Sequence, residues 1–153
     1  SDTAGVLQVQ LLYTKESLPE IGKKSSASAN KWVKRRTFSD LKECYATLRK
    51  EGYAIYATRL GPNSKSLYDL DLTKKVALVF GNEHRGVSDD VAEQADINFQ
   101  IPMFGMIQSL NVSVASAVAL FEAVRQRLAS GDLKNPKVPK QELKKLLSEW
   151  KLK

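Results

Sequence analysis

The chain has 153 residues, 42% of them hydrophobic, with 24 Lys and Arg against 17 Asp and Glu for a formal net charge of +7. That length fits one domain with a real core, and no run of about 18 apolar residues or signal-peptide pattern is present, so the expectation is a cytoplasmic protein. A single cysteine, Cys44, excludes an internal disulfide and any Cys-rich metal site, and the positive balance favours a polyanionic partner.

In chain order, the Val- and Leu-rich run Val6–Tyr13 predicts a buried strand. Lys15–Ser28, with Pro19, Gly22 and a serine cluster, predicts an exposed mobile segment. Lys23, Lys24, Lys31, Lys34, Arg35 and Arg36 follow, with Trp32 among them. Interleaved cations and an aromatic suit a surface that meets phosphates and a base, so these basic residues are read as RNA contacts, whereas Trp32 by itself reads as a core anchor. Ser39 and Asp40 cap an amphipathic helix that carries Leu41, Cys44, Tyr45 and Leu48 on one face and ends at Gly52. Cys44 on that face reads as a buried structural thiol. Tyr53–Thr58 is the next strand, and Thr58–Pro62 is its carboxyl-end loop. Asn63–Thr73 carries little signal and is taken as a connection.

Val76–Phe80 is short, β-branched and aromatic, which predicts a central strand. It empties into Gly81–Gly86, where two glycines let the backbone approach a ligand or take positive φ. Ser88, Asp89 and Asp90 supply an N-cap and two carboxylates for a short helix over Asp89–Ala95. A strand over Asn98–Ile101 leads to Pro102 and a second loop, Met103–Gln108. Ser109 is read as the cap of a long helix from Leu110 to Ala129, with small or β-branched first turns and Gly131 at its end. Lys134–Pro139 reads as a proline-bearing linker. In the helix that follows, Leu143, Leu146, Leu147 and Trp150 share one face, away from Lys140, Lys144, Lys145 and Lys151. The order is an α/β pattern with a mainly parallel sheet, and the loops at the carboxyl ends of its strands are where ligands usually sit.

Val79-Phe80-Gly81-Asn82-Glu83 with Gly86, then Ile101-Pro102-Met103, Gly105 and Ser109-Leu110-Asn111-Val112-Ser113-Val114-Ala115, resemble the second and third motifs of the SPOUT methyltransferases. The closer resemblance is to the TrmH branch, the tRNA ribose 2′-O-methyltransferases. It implies an α/β fold with a deep C-terminal trefoil knot, an exception to the rule that chains do not thread loops. It also implies S-adenosylmethionine as cofactor, RNA and foremost tRNA as substrate with a D-loop guanosine as target, and a homodimer with Val112, Val114, Val118 and Leu120 as contact surface. Residues 1–131 form the methyltransferase domain on this reading, 132–139 a linker and 140–153 a helical extension. Asp2-Thr3-Ala4-Gly5 resembles the tail of the first motif, whose arginine, thought to activate the ribose hydroxyl, lies upstream of Ser1. The expectation is therefore a chain that keeps much of the cofactor site and transfers methyl groups poorly on its own.

The chemistry needs a sulfonium held in line with a ribose oxygen, inside a narrow and largely apolar slot. The resemblance assigns Thr58, Leu60, Gly81, Ile101, Met103 and Leu110 to the cofactor, and Ser109, Asn111 and Glu83 to polar contacts at the reacting centre. Arg125 and Arg127 resemble the family's Arg-x-Arg pair and join Lys31, Lys34, Arg35 and Arg36 as RNA contacts. His84, the sole histidine, lies in the first loop, but the family pattern requires none there. No His, Cys and Asp cluster has metal-ligand spacing, so no metal is expected. The alternatives are a ribosomal RNA 2′-O-methyltransferase of the same fold and a non-catalytic RNA-binding module.

Overall fold

The computed structural model describes residues 1–13, 32–82, 85–134 and 138–151. The Lys15–Ser28 segment, Lys31, Glu83 and His84 lie outside the described residues. Among the described residues six strands and four α-helices alternate largely as expected. β1 (Gln8–Leu12) and β2 (Lys34–Phe38) form a parallel pair, with Gln8 opposite Lys34 and Leu12 opposite Phe38. The second sheet runs β4 (Lys65–Ser66), β6 (Ile97–Gln100), β3 (Ala54–Thr58), β5 (Val76–Val79), with every pairing parallel. The helices are α1 (Leu41–Lys50), α2 (Asp89–Glu93), α3 (Val112–Ala129) and α4 (Lys140–Lys151).

α1 forms where polarity and periodicity predict it. The Asp40 carboxylate accepts from the Glu43 amide at 2.8 Å, so Asp40 is the capping side chain, and Gly52 turns the chain away at φ +81°. The apolar face packs Leu41, Cys44, Tyr45 and Leu48 with Phe38, Ile55 and Val91. Burial pushes the Cys44 thiol up, as befits an inert core group. Burial likewise pushes the Tyr45 phenol up to about 12, and its hydroxyl donates to the Val91 carbonyl at 3.0 Å, fastening α1 to α2.

Side chains alternate along β3, so its other face makes a second core: Tyr56 packs with Leu67, Leu70, Leu72, Phe99 and Ala119. Three of those come from the stretch taken as a mere connection. Asn63–Thr73 instead holds β4 and a one-turn 3-10 helix, Leu67–Asp69, and Leu67 and Leu72 are among the most deeply buried side chains described. Spacings of three and two residues match neither helix nor strand periodicity, which is why the pattern carried no signal. The strand at Val76 is also not central. β5 ends the four-stranded order and its residues are half-buried, while β3 lies between β5 and β6 with Ile55, Tyr56 and Ala57 buried.

A polar latch holds that second core against the back of α3. The Leu72 amide donates to Gln126 Oε1 at 2.8 Å, and Gln126 Nε2 donates to the Leu70 carbonyl and to Glu122 Oε1. Arg127 donates to the carbonyls of Leu72 at 3.0 Å and Lys74 at 2.9 Å. Glu122 is buried and receives both arms of Arg125 at 2.8 Å, and those bonds hold its carboxyl below the usual range. α4 does not stand free. Trp150 meets Trp32 edge to face, and Glu149 pairs with Lys34 at 3.4 Å.

Gln126→Ala should strand the Leu72 amide and the Leu70 carbonyl together and cost about 1–3 kcal/mol for each group left unpaired, read as a lower urea midpoint at unchanged slope. Glu122 adds a pH term. Its folded pKa is depressed, so its contribution is fully present above the unfolded carboxylate value and is lost as pH falls through the folded one. Glu122→Gln should flatten the acid limb of the stability profile between those two values, and an acid limb identical to the parent's would remove Glu122 from the latch.

Candidate cofactor and nucleic-acid site

β5, β3 and β6 are adjacent and parallel, so the segments leaving their carboxyl ends emerge side by side. Those segments begin at Thr58, Gly81 and Ile101. The Thr58 hydroxyl donates to the Val79 carbonyl at 3.2 Å, tying the ends of β3 and β5. The Arg59 amide donates to the Phe99 carbonyl at 2.8 Å, tying β3 to β6, and its guanidinium pairs with Asp89 of α2 at 2.8 Å. This places Thr58, Leu60, Gly81, Ile101 and Met103 on one rim of the sheet.

The first loop closes on itself. Asn82 and Gly86 form an antiparallel bridge, the Gly86 amide donates to the Asn82 carbonyl at 3.0 Å, and the Arg85 amide donates to Asn82 Oδ1 at 2.8 Å. A Cβ at Gly81 would fall on the Gly86 carbonyl group and the Val87 nitrogen, well inside the 3.0 Å that real Cβ atoms keep. On its Cβ side, then, Gly81 makes room for the chain's own backbone at Gly86 and Val87. Gly86 serves differently, at φ +64° with open space where a Cβ would stand.

The second loop is braced by Gln108, whose amide donates to the Gly105 carbonyl at 2.6 Å. It leaves large apolar side chains in water: Phe104, Met106 and Ile107 are 98, 99 and 78% exposed, with Leu60 and Leu110 also exposed. Such a concentration marks a surface that something covers. The helix start is also corrected. α3 begins at Val112, and Asn111 rather than Ser109 is its cap, its Oδ1 accepting from the Ser113 amide at 2.8 Å. Ser109 is exposed, and Ser88 makes no side-chain cap at α2.

The basic residues divide. Lys34 and Arg35 are exposed, Lys34 pairing with Glu149 at 3.4 Å, whereas Arg36 is half-buried and pairs with Glu51 at 2.7 Å, and Arg125 pairs with Glu122. Arg127 spends its donors on the Leu72 and Lys74 carbonyls. No metal-holding group of His, Cys, Asp and Glu occurs among the described residues, and no described helix is long and apolar enough to cross a membrane. Sequence reasoning passed over Arg59, Glu122 and Gln126. Only the i, i+4 spacing of the last two, on the helix bearing Arg125, hinted at a shared network.

A parallel α/β domain with three loops gathered at one rim, the last running into a long helix, defines the class of protein. The chain belongs to the SpoU rRNA Methylase family, whose profile matches residues 2–121. It is 40% identical over 149 residues to a tRNA (guanosine(18)-2′-O)-methyltransferase of Thermus thermophilus, covering 97% of this chain and 76% of that one. The corresponding enzyme of Aquifex aeolicus is 36% identical over 149 residues, with 97% and 71% covered. Among solved structures, the A. aeolicus TrmH/SpoU tRNA modifying enzyme superposes with a TM-score of 0.88 at 36% identity, covering 97% and 76%. An AdoMet-bound rRNA methyltransferase from Sinorhizobium meliloti gives 0.65 at 27%, covering 81% and 48%.

The two glycines predict different outcomes on substitution. Gly86→Ala should cost about 1–2 kcal/mol, the penalty of a left-handed residue with a Cβ. Gly81→Ala should open the loop, because backbone cannot yield as a side-chain tip does, and trypsin should then cut after Arg85 much faster than in Gly86→Ala. Equal cleavage of the two variants would contradict the crossing at Gly86–Val87.

Proposed function

We propose that this chain is an S-adenosylmethionine-dependent methyltransferase that methylates a ribose 2′-hydroxyl of tRNA, with a D-loop guanosine as the target. The observation that carries the reading is the three-segment rim. It combines a self-closed glycine loop with exposed apolar side chains in a family whose Thermus thermophilus and Aquifex aeolicus relatives bear that activity in their names. The family profile is named for ribosomal RNA, but the tRNA enzymes match 97% of the chain and favour tRNA.

The rim suits the cofactor. An adenine needs apolar walls, which Leu60, Ile101, Met103 and Leu110 supply, and backbone donors and acceptors at the strand ends fix its orientation. When bound, the cofactor supplies an electrophilic methyl on a sulfonium. The protein's own share is positioning, which can lower such a barrier by about 7–11 kcal/mol. Gly81 shapes that wall by letting its loop close. Asn111 spends its carboxamide oxygen on the helix cap and retains two N–H donors for a substrate oxygen. Ser109 lies two residues before it, and Glu83 is assigned a polar contact in the first loop. The trefoil knot belongs to this reading too, as does a domain spanning 1–131 with 140–153 as an extension, in the cytoplasm where tRNA is modified.

The test is methyl transfer from labelled cofactor to a tRNA transcript, with alkaline digestion to show protection of the ribose 2′ position. Absence of both cofactor binding and transfer would leave only an RNA-binding module. Asn111→Asp separates cap from chemistry. It keeps a cap acceptor, so stability should stay within about 0.5 kcal/mol of the parent, whereas Asn111→Ala should lose about 0.5–2 kcal/mol. Transfer should fall in both variants, and a fully active Asn111→Asp would restrict Asn111 to the cap.

The same reading includes a homodimer through α3. Of the four residues expected to make contact, Val118 packs in the second core and Val112 and Leu120 are half-buried. The exposed apolar side chains are instead Val114, Phe121 and Leu128, which with Ala117 and Val124 step three and four residues along one stripe. Phe121→Glu should convert a dimer to a monomer in light scattering at micromolar protein. A parent chain that is already monomeric there would sink the dimer.

A further inference from the structure

Both tryptophans of the chain line one cavity, of about 360 Å³, which the candidate catalytic rim does not use. Its walls are Asp2, Gly5, Val6, Leu7, Trp32 and Trp150. The two indoles stand nearly perpendicular, 84° apart with centroids at 6.0 Å. They make an aromatic corner, in which a flat group stacking on one ring meets the other side-on.

We propose that this corner is a second RNA subsite that holds a single guanine base. The choice follows from three features. The walls suit a planar aromatic group, and stacking on tryptophan is how proteins grip an unpaired base. The Asp2 carboxylate disfavours a phosphate inside the cavity and accepts hydrogen bonds. Guanine alone among the common bases presents two adjacent donor groups on its Watson–Crick edge, N1–H and N2–H₂, that match two carboxylate oxygens, whereas adenine, cytosine and uracil each present a single donor group there. The surroundings are basic. The Lys34 amide donates to the Leu7 carbonyl at 2.9 Å, so β2 runs beside the cavity, with Arg35 exposed and the Lys34 ammonium shared with Glu149 at 3.4 Å. On α4, Lys140, Lys144 and Lys151 share one helical stripe. That field repels a small organic cation, the other natural guest of an acid-lined aromatic cage, and attracts a phosphate chain. A base carried on a polyanion satisfies the acid within and the cations around it.

The proposal rests on the reading of this chain as a protein that acts on RNA, but its test needs neither cofactor nor methyl transfer. Because no tryptophan lies elsewhere, intrinsic emission reports on this cavity alone. Excited at the red edge of indole absorption, the chain is titrated with short oligouridylates that do or do not carry one central guanosine. The guanosine oligonucleotide should quench the emission and bind on the order of 5- to 150-fold more tightly, the worth of one stacked base. Asp2→Asn, at an exposed position, should keep the quench and lose most of the guanosine preference. Trp150→Leu should lose both. Equal affinity for the two oligonucleotides would overturn the proposal, as would RNA binding by anisotropy with unchanged emission, which would make the tryptophans only the anchor of α4. Quenching by tetramethylammonium in place of RNA would reassign the corner to a cation. Guanosine-selective quenching without methyl transfer would leave the subsite standing and bring down the catalytic reading instead.

Discussion

The backbone crossing at Gly81 is the constraint on which the rim depends. One glycine lets residues 86 and 87 pass closer than 3.0 Å to where a Cβ would stand, and only that approach allows the strand-end loop to fold back and start α2 at Asp89. α2 in turn takes the Arg59 ion pair, and Val91 takes the Tyr45 hydroxyl. The loop, the end of β3 and the buried face of α1 are thus coupled through a position that contributes no side chain. Exposed ion pairs such as Arg59 with Asp89 are worth about 0–1 kcal/mol, so the steric condition at Gly81 outweighs the electrostatic one.

The same hierarchy explains which parts of the fold were legible in the sequence. α1 was, because capping, periodicity and a terminal glycine all point the same way. The three rim loops were, because a glycine after a short apolar run is a local signal. The second core was not, since Leu67, Leu70 and Leu72 lie in a stretch too short and irregular to show a period. The open-edge position of β5 was hidden for a related reason: composition reports burial, whereas sheet order is set by partners distant in sequence. The cap of α3 went to Asn111 because residues 109 and 110 stay outside the helix, and Ser and Asn are nearly equal in cap preference.

Charge was the least transferable signal. Among the described cations assigned to RNA, Arg36, Arg125 and Arg127 turn to partners within the chain and Lys34 pairs with Glu149. Arginine is suited to this, since its planar fork satisfies several carbonyls or a carboxylate at once and stays charged where a lysine would be neutralised by burial. Lys34 and Arg35 remain at the surface, so the net charge of +7 acts through fewer direct contacts than the count suggests. Long-range attraction survives internal pairing only in part, because a paired cation presents a dipole rather than a monopole to an approaching phosphate.

α3 concentrates these demands in one helix. Its first turn is capped by the residue assigned to chemistry, its inner face closes the second core through Val118, Ala119 and Ala123, and its far end carries the latch. The stripe through Val114, Phe121 and Leu128 is left facing water. Successive residues lie about 100° apart, so Phe121 and Glu122 are neighbours that point to different surroundings, one outward and one into the latch. A rotation of the helix would have to break the Gln126 bonds to Leu70 and Leu72 before it could re-aim Asn111. The latch at the far end therefore fixes the register of the cap at the rim, and substitutions at the two ends of α3 should not be additive even though they share no contact.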